Sequence, residues 1–572
     1  MHFEPRRLEE PPDLEFRLCL WRDTWFCHPG MSALNMQYVK VFISCRNCII
    51  DFMAGKIGRE LIGRLFSVVM FIVLTVVGLL FSIYLIYLAK SLYMYILAFS
   101  FTILAAISGF FNIFTSYSYY RSYLYDAYLE KIQKGIKKPK RYPAVAVVMP
   151  VFNEDSGEVK KNMRRLMQLD YPRNKLEYYL LDDSTDEGIM CALEKFSAEY
   201  GIHYIRRDKR EGFKAGALNN MLIHSNEEYI AIFDYDEYLT NTRFLKDLIP
   251  YFGDKRLAYI QTEKKYHKDT FFSDTVDLFD AFFFKFIQPS RALNNTAIFA
   301  GSCGVIRRSH LKAVGGFPEY VIEDTFFSFE SDVHGYKSLY IPKVYALGKP
   351  IRTFTELVKQ QWRYNYGDTQ FLSYFFRRSK AAKKRSLSPL SNIDYMTHGF
   401  GLNYISIVLL LFTVLSIFIV FSQLKFNLLS LSLFLKGSDP TWDLEMLGAT
   451  AFSLSILAPV ILTKIYFKSV RKGIMIFLLN FSLAFIRTRA AIAAIFKFSH
   501  TRILWERERQ RLEGYKKLIY ALKNSALEML FSIILLSLAA LAMMVDNTVG
   551  GLWLAWYGVL YVSTLFMFYK YG

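Results

Sequence analysis

The sequence predicts an α/β domain with a mostly parallel, Rossmann-like sheet, inserted in an α-helical membrane region of about six spans. Three observations carry this. Uncharged apolar runs long enough to cross a bilayer lie towards both ends, with a polar, charged block between them. Within that block, short apolar runs alternate with amphipathic stretches, the pattern of a doubly wound sheet. A chain of 572 residues that is 53% hydrophobic, with mean hydropathy +0.18, is also too long for one ordinary soluble core.

Residues 1–60 read as a cytosolic tail of mixed charge with no signal-peptide pattern. Cys19, Cys27, Cys45 and Cys48 cluster there, but Cys45-x-x-Cys48 with Cys27-His28 fits no standard zinc spacing, so reduced thiols are expected. Residues 65–88 and 92–114 form a membrane hairpin (65–114) turning at Lys90 and Ser91. Arg121 and the basic run Lys131 to Arg141 then hold the next block on the cytosolic side.

That block, 120–350, contains strands at 145–150, 176–181, 202–205, 229–233 and 257–261, with helices at 158–169, 186–200 and 212–220. Residues 351–398 are amphipathic and aromatic-rich, suiting a helix at the membrane surface. A second hairpin (400–468) has spans at 401–422 and 446–467. Residues 474–525 read as an interfacial helix and a basic cytosolic loop, because Arg487 and Arg489 are costly at bilayer depth. Spans at 526–545 and 552–569 complete a last hairpin, 526–572. The net charge of +19 is spread among membrane-flanking segments, so positive-inside bias explains it with no nucleic-acid partner.

The chemistry centres on YIAIFDYDEY, residues 229–238. A buried strand runs to Phe233 and stops at two aspartates one residue apart, Asp234 and Asp236. Ligands of open α/β sheets bind at the carboxyl ends of strands, and hard divalent cations take carboxylate and phosphate oxygens. The pair therefore reads as a metal–diphosphate site; taken alone, an acidic turn capping a helix near Asn241 would be the better account, and the rest of the chain reverses that order.

Four further features surround it. Asp182 and Asp183 end a strand, where a carboxylate can meet a nucleotide base, although a helix cap is also possible. Lys214 lies in a glycine-flanked turn opening a helix, a place that favours phosphate, or is a solvated surface charge. Glu323 and Asp324 follow the turn at Gly315 to Pro318, positioned for a general base or simply an acidic helix start. QQWRY (360–364) places Gln360, Arg363 and Tyr364 on the interfacial helix, as a sugar-stacking site or a snorkelling surface helix.

The order of these motifs, DDSTD (182–186), GFKAGAL (212–218), strand-DxD, FAGSCGVIRR (299–308), ED and QQWRY, strongly resembles the membrane-embedded family 2 glycosyltransferases. That group makes cellulose, hyaluronan, chitin and plant β-mannans; these motifs look closest to its plant glucomannan and xyloglucan-backbone branch. The resemblance spans about residues 65–510 and implies a GT-A-like fold. It implies an inverting, processive synthase of a β-linked polysaccharide, using a UDP- or GDP-linked hexose with Mg²⁺ or Mn²⁺. Nucleotide sugar would be held by Glu154, Asp182, Asp183, Lys214 and Asp234, with the metal on Asp234 and Asp236. Asp324 would be the catalytic base, and Ser302, Glu323, Gln360, Arg363 and Tyr364 would meet the growing polysaccharide.

Three departures stand out. Tyr364 replaces the usual Trp of QxxRW, Ile322 replaces a Thr before Glu323-Asp324, and only HTRILWERE (500–508) stands where a gating loop is common. The expected setting is a multi-pass protein among the lipids of the plasma membrane, or of the Golgi in a eukaryote, with its catalytic domain cytosolic. The rival readings are transfer of one sugar to a lipid acceptor and a non-catalytic channel or scaffold.

Overall fold

The computed structural model describes residues 56–89, 91–137, 139–381, 387–401, 403–421, 457–496, 514–545 and 547–572. The four N-terminal cysteines and HTRILWERE lie outside the described residues. Residues Gly63–Gly572 pack as one compact unit; of the 62 residues before it, only the start of the first helix is described.

The central block folds around one eight-stranded sheet. Its strands are β1 (Val145–Val151), β2 (Leu176–Asp182), β3 (His203–Arg206), β4 (Tyr229–Ile232), β5 (Tyr238–Leu239), β6 (Leu257–Tyr266), β7 (Gly304–Arg307) and β8 (Lys337–Gly348), in the order β3-β2-β1-β4-β7-β6-β8-β5. Strands alternate their side chains between faces. Val145, Val147 and Met149 therefore join one core with Ala231 and Phe233, while Ala146 and Val148 join the opposite core with Ile230 and Ile232. Both faces are covered, which is why these strands read as continuous apolar runs.

The sheet is mixed, with four of its seven ladders parallel. The β1–β2, β1–β4, β2–β3 and β6–β8 ladders are parallel, whereas β7 runs antiparallel to both β4 and β6, and β5 antiparallel to β8. The five expected strands are present within a few residues. The antiparallel insertions were not expected, because apolar alternation carries no information about strand direction.

Among the described residues six helices are long and apolar enough to cross a membrane: Leu61–Leu80, Leu92–Lys134, Asn403–Phe421, Val470–Ile495, Ala526–Met544 and Gly550–Tyr571. Ser91 caps the second, its hydroxyl accepting the Met94 N–H at 3.3 Å. The first half of the expected span at 446–467 lies outside the described residues, and the second half is a short apolar helix at Leu457–Phe467. Of the stretch expected to be interfacial, 474–497, residues 474–495 lie in the helix Val470–Ile495, which is of spanning length. Its Arg487 is fully buried in protein, donating from Nε to Gln361 Oε1 at 2.9 Å and from Nη1 to Asn480 Oδ1 at 3.2 Å. Those bonds offset the cost that the charge would carry among lipid tails.

Candidate active site

β4 delivers Asp234 to a tight turn. The Asp234 N–H donates to Glu237 Oε2 at 2.9 Å and the Glu237 N–H returns to Asp234 O at 3.1 Å. Beside it, the Cys303 N–H donates to Ile232 O at 2.9 Å, docking the FAGSCG loop against β4. Ser302 is thereby placed with its hydroxyl 2.8 Å from Asp234 Oδ2 and 2.6 Å from Glu237 Oε1, able to donate to one at a time. Lys214, in the first turn of the helix Phe213–His224, donates to Asp234 Oδ1 at 2.5 Å and to Gly301 O at 3.1 Å.

Gly301 sits where these groups and the base candidate meet. Its φ is +79°, and a Cβ there would lie 3.2 Å from Asp324 Oδ2 and 3.6 Å from Lys214 Nζ. Asp324 lies in the first turn of the helix Glu323–Val333 and accepts the Thr325 N–H on Oδ1 at 2.7 Å. The helix Phe354–Ala381, bearing QQWRY, comes close because Gly367 lacks a side chain; a Cβ there would stand 2.7 Å from Ile322 Cγ2. On that helix the Arg363 guanidinium lies 5.4 Å from the Tyr364 ring centre, and Gln360 Nε2 is 3.4 Å from the Tyr364 hydroxyl.

At the ends of β1 and β2 the two aspartates divide. Asp182 is buried and internally engaged, accepting the Ser184 N–H at 2.8 Å and the Tyr204 hydroxyl at 2.7 Å. Asp183 is gripped by Arg207, with Nε to Oδ1 at 2.9 Å and Nη2 to Oδ2 at 2.5 Å. The Asn153 side chain accepts the Thr185 and Asp186 N–H groups, tying the two loops together, and Glu154 reaches the Tyr235 hydroxyl between Asp234 and Asp236. Arg210 stacks 3.3 Å from the Phe152 ring centre.

The electrostatics match a charged cleft. Asp234 and Lys214 keep 31% and 27% of their side-chain surface accessible while protein surrounds them. Burial alone would raise the Asp234 carboxyl, but Lys214 and Lys264, with hydrogen bonds from Lys214 and Ser302, hold it down at about 2. For Asp236, burial and the Asp234 and Glu237 charges outweigh the pull of Lys264 and a backbone hydrogen bond and push it up to about 7. Burial and Asp324 raise Glu323 to about 7, and burial raises Asp324 against the pull of the Thr325 N–H, Lys214, Lys264 and Arg363. Burial works against a charged Lys214, yet Asp234 and Glu323 hold its ammonium above the ordinary lysine value.

Lys214, Asp234 and Ser302 are thus in direct contact, Asp324 lies beside Lys214 at Gly301, and Glu323, Arg363 and Tyr364 lie near enough for charges to act between them and this group. Sequence reasoning missed Glu237 and Lys264. Lys264 Nζ lies 3.3 Å from Glu237 Oε1 and 3.9 Å from Asp234 Oδ2. In EKKY it reads as an ordinary surface charge at the end of β6.

Residues 146–315 match the protein-family model for glycosyl transferase family 2. The chain carries a family 2 glycosyltransferase domain. That domain contains the Lys214, Asp234 and Ser302 cluster, and helices long and apolar enough to cross a membrane flank it in the chain.

Over 240 residues the chain is 31% identical to "Cellulose synthase catalytic subunit [UDP-forming]" of Pseudomonas fluorescens, covering 41% of this chain and 32% of the relative. It is 30% identical over 239 residues to "Cellulose synthase 2" of Novacetimonas hansenii, covering 40% of this chain and 15% of the relative. The matches therefore span a third or less of these two relatives' length. Among solved structures it is similar to the mannosyltransferase PcManGT of Pyrobaculum calidifontis in complex with GDP-Man and Mn²⁺. That likeness has 16% identity and TM-score 0.44, over 67% of this chain and 99% of the other.

Proposed function

We propose that this protein is an inverting, processive glycosyltransferase that builds a β-linked polysaccharide from a UDP-glucose-like or GDP-mannose-like donor. Synthesis takes place on the cytosolic face, and the product is passed across the membrane. The observation that carries the reading is the convergence of Lys214, Asp234 and Asp324 around Gly301, beside the helix of Gln360, Arg363 and Tyr364. The cellulose synthase relatives support a polymer rather than a single-sugar product.

Asp183 and Glu154 face the nucleotide, and Asp182 holds the loop that presents Asp183. Asp234 and Asp236 fit Mg²⁺ or Mn²⁺, being hard oxygen donors one residue apart. Asp236 in particular is raised to about 7 by burial and by negative neighbours whose repulsion a cation would relieve. A cation bound there would neutralise the departing diphosphate.

Asp324 takes the proton of the acceptor hydroxyl as that oxygen bonds to the anomeric carbon. The bond from that carbon to the diphosphate oxygen breaks on the opposite face, its electron pair leaving with the nucleoside diphosphate, so the configuration inverts. The Lys214 ammonium draws the developing phosphate charge towards Gly301. Tyr364 supplies a stacking face for the acceptor sugar, and Gln360, Arg363, Glu323 and Ser302 orient its hydroxyls.

The test incubates purified protein with labelled UDP- and GDP-sugars and either cation, then sizes the product on a gel. A ladder or smear is expected. A single organic-extractable product would replace this reading with transfer to a lipid acceptor.

A further inference from the structure

A carboxylate that takes a proton from an acceptor must present one oxygen at a fixed place. Asp324 accepts the Thr325 N–H on Oδ1 at 2.7 Å, which leaves Oδ2 as the oxygen beside Gly301. That bond joins adjacent residues, so it holds the carboxylate only as firmly as Thr325 itself is held. Thr325 is 4% exposed, and its hydroxyl lies 3.2 Å from His398 Nε2 on the helix Pro389–Phe400.

The same helix grips the helix of Asp324 one turn further on. The Tyr395 hydroxyl donates to Ser328 O at 3.1 Å. Ser328 Oγ in turn donates to Asp324 O at 2.7 Å and accepts the Phe299 N–H at 2.8 Å, at the start of the loop that carries Gly301 and Ser302. Helix Pro389–Phe400 is itself anchored. Asp394 Oδ2 accepts from Asn294 Nδ2 at 2.7 Å and from Thr296 Oγ1 at 2.6 Å, and Asp394 O accepts from Arg291 Nη1 at 2.5 Å. The His398 ring centre lies 6.2 Å from that of Phe283 and 6.3 Å from that of Phe371. Burial and the Arg291 charge hold the imidazole down at about 3, so it is neutral and adds no charge beside the base.

We infer that His398 and Thr325 are positioning residues for the base: their hydrogen bond fixes the peptide whose N–H holds Asp324 Oδ1, and so aims Oδ2 at the acceptor. The inference rests on the reading of Asp324 as the base. Through this bond the helix that leads into the span Asn403–Phe421 sets the aim of that carboxylate.

The test measures donor KM and kcat in Thr325→Val, Thr325→Ser, His398→Phe, His398→Gln and the double variant Thr325→Val/His398→Phe. Each kcat is counted per donor-binding site, so that a merely structural defect, which leaves fewer sites, does not register as slower ones. Valine keeps the shape of threonine and phenylalanine keeps the ring contacts, while both remove the bond. Each single variant should lower kcat about tenfold with donor KM unchanged, and the double variant should lose no more than either. Thr325→Ser and His398→Gln keep a hydrogen-bonding group and should recover most of the loss; the two His398 variants carry the test should Thr325→Val fail to fold. An unchanged kcat in Thr325→Val and His398→Phe, or losses that multiply in the double variant, overturns the inference while Asp324→Asn, being slow, keeps the base reading intact. Transfer by Asp324→Asn at the unsubstituted rate overturns both.

Discussion

Replacing Gly301 by alanine tests the geometry of the cleft with a single methyl group. Two effects are expected, and they can be separated. Alanine at φ +79° strains the backbone by about 1–2 kcal/mol, a loss of stability alone. The new Cβ also stands 3.2 Å from Asp324 Oδ2 and 3.6 Å from Lys214 Nζ, so the base must yield by a few tenths of an ångström. A displacement of that order between reacting groups costs about tenfold to a hundredfold in kcat. Gly315→Ala is the matched control: its φ is +91°, yet its Cβ would meet nothing within 4 Å. Both variants should lower the thermal unfolding midpoint by similar amounts, while only Gly301→Ala should slow nucleotide release from the labelled donor. Equal turnover in the two variants would refute the claim that the space beside Gly301 is where the reaction occurs.

Three other outcomes follow from the same contacts. Lys264→Met strips a cation from Glu237 and Asp234 where the Lys264 and Glu237 side chains are only 17% and 6% exposed, and should cost about 3 kcal/mol, read by thermal inactivation; Lys264→Arg should recover part of it. Ser302→Ala removes the hydroxyl shared by Asp234 and Glu237, and should raise the apparent donor KM by about tenfold through a misplaced carboxylate, measured by initial rates at varied donor. The pH–rate profile should fall on the acid side at a pH above the ordinary carboxylate range. Burial raises the Asp324 carboxyl, and Glu323 beside it is raised to about 7, so as the pH falls through the raised value of Asp324 the base is protonated and cannot accept the acceptor's proton, while above it the base is free. A rate that is flat from pH 5 to 8 would contradict the assignment.

Much of this was legible from local sequence, because the determinants are local. Strand β4 shows its end at Asp234 as a run of apolar residues that stops, and its two-faced burial follows from Tyr229 to Phe233 having no polar member. The pairing of Lys214 with Asp234 was not legible, since it depends on how the Phe213–His224 helix is set against β4. Each residue separately suggested phosphate or metal. Asp182 and Asp183 look equivalent in DDSTD, yet strand alternation sends one inwards to Tyr204 and the other out to Arg207. Lys264 gave no signal at all: its partners Glu237 and Asp234 lie on a turn after a different strand. Arg487 was read as too costly for lipid, but that it bonds to Gln361 could not be seen from hydropathy.

Asp324→Asn is the most direct test of the central claim, that one carboxylate poised beside Lys214 and Asp234 takes the acceptor's proton. The substitution keeps the shape of the side chain and removes its basicity. Donor binding, read by displacement of a fluorescent nucleotide, should stay within about twofold, while single-turnover sugar transfer should fall by about 10²–10⁴. Transfer by Asp324→Asn at the unsubstituted rate would contradict the account.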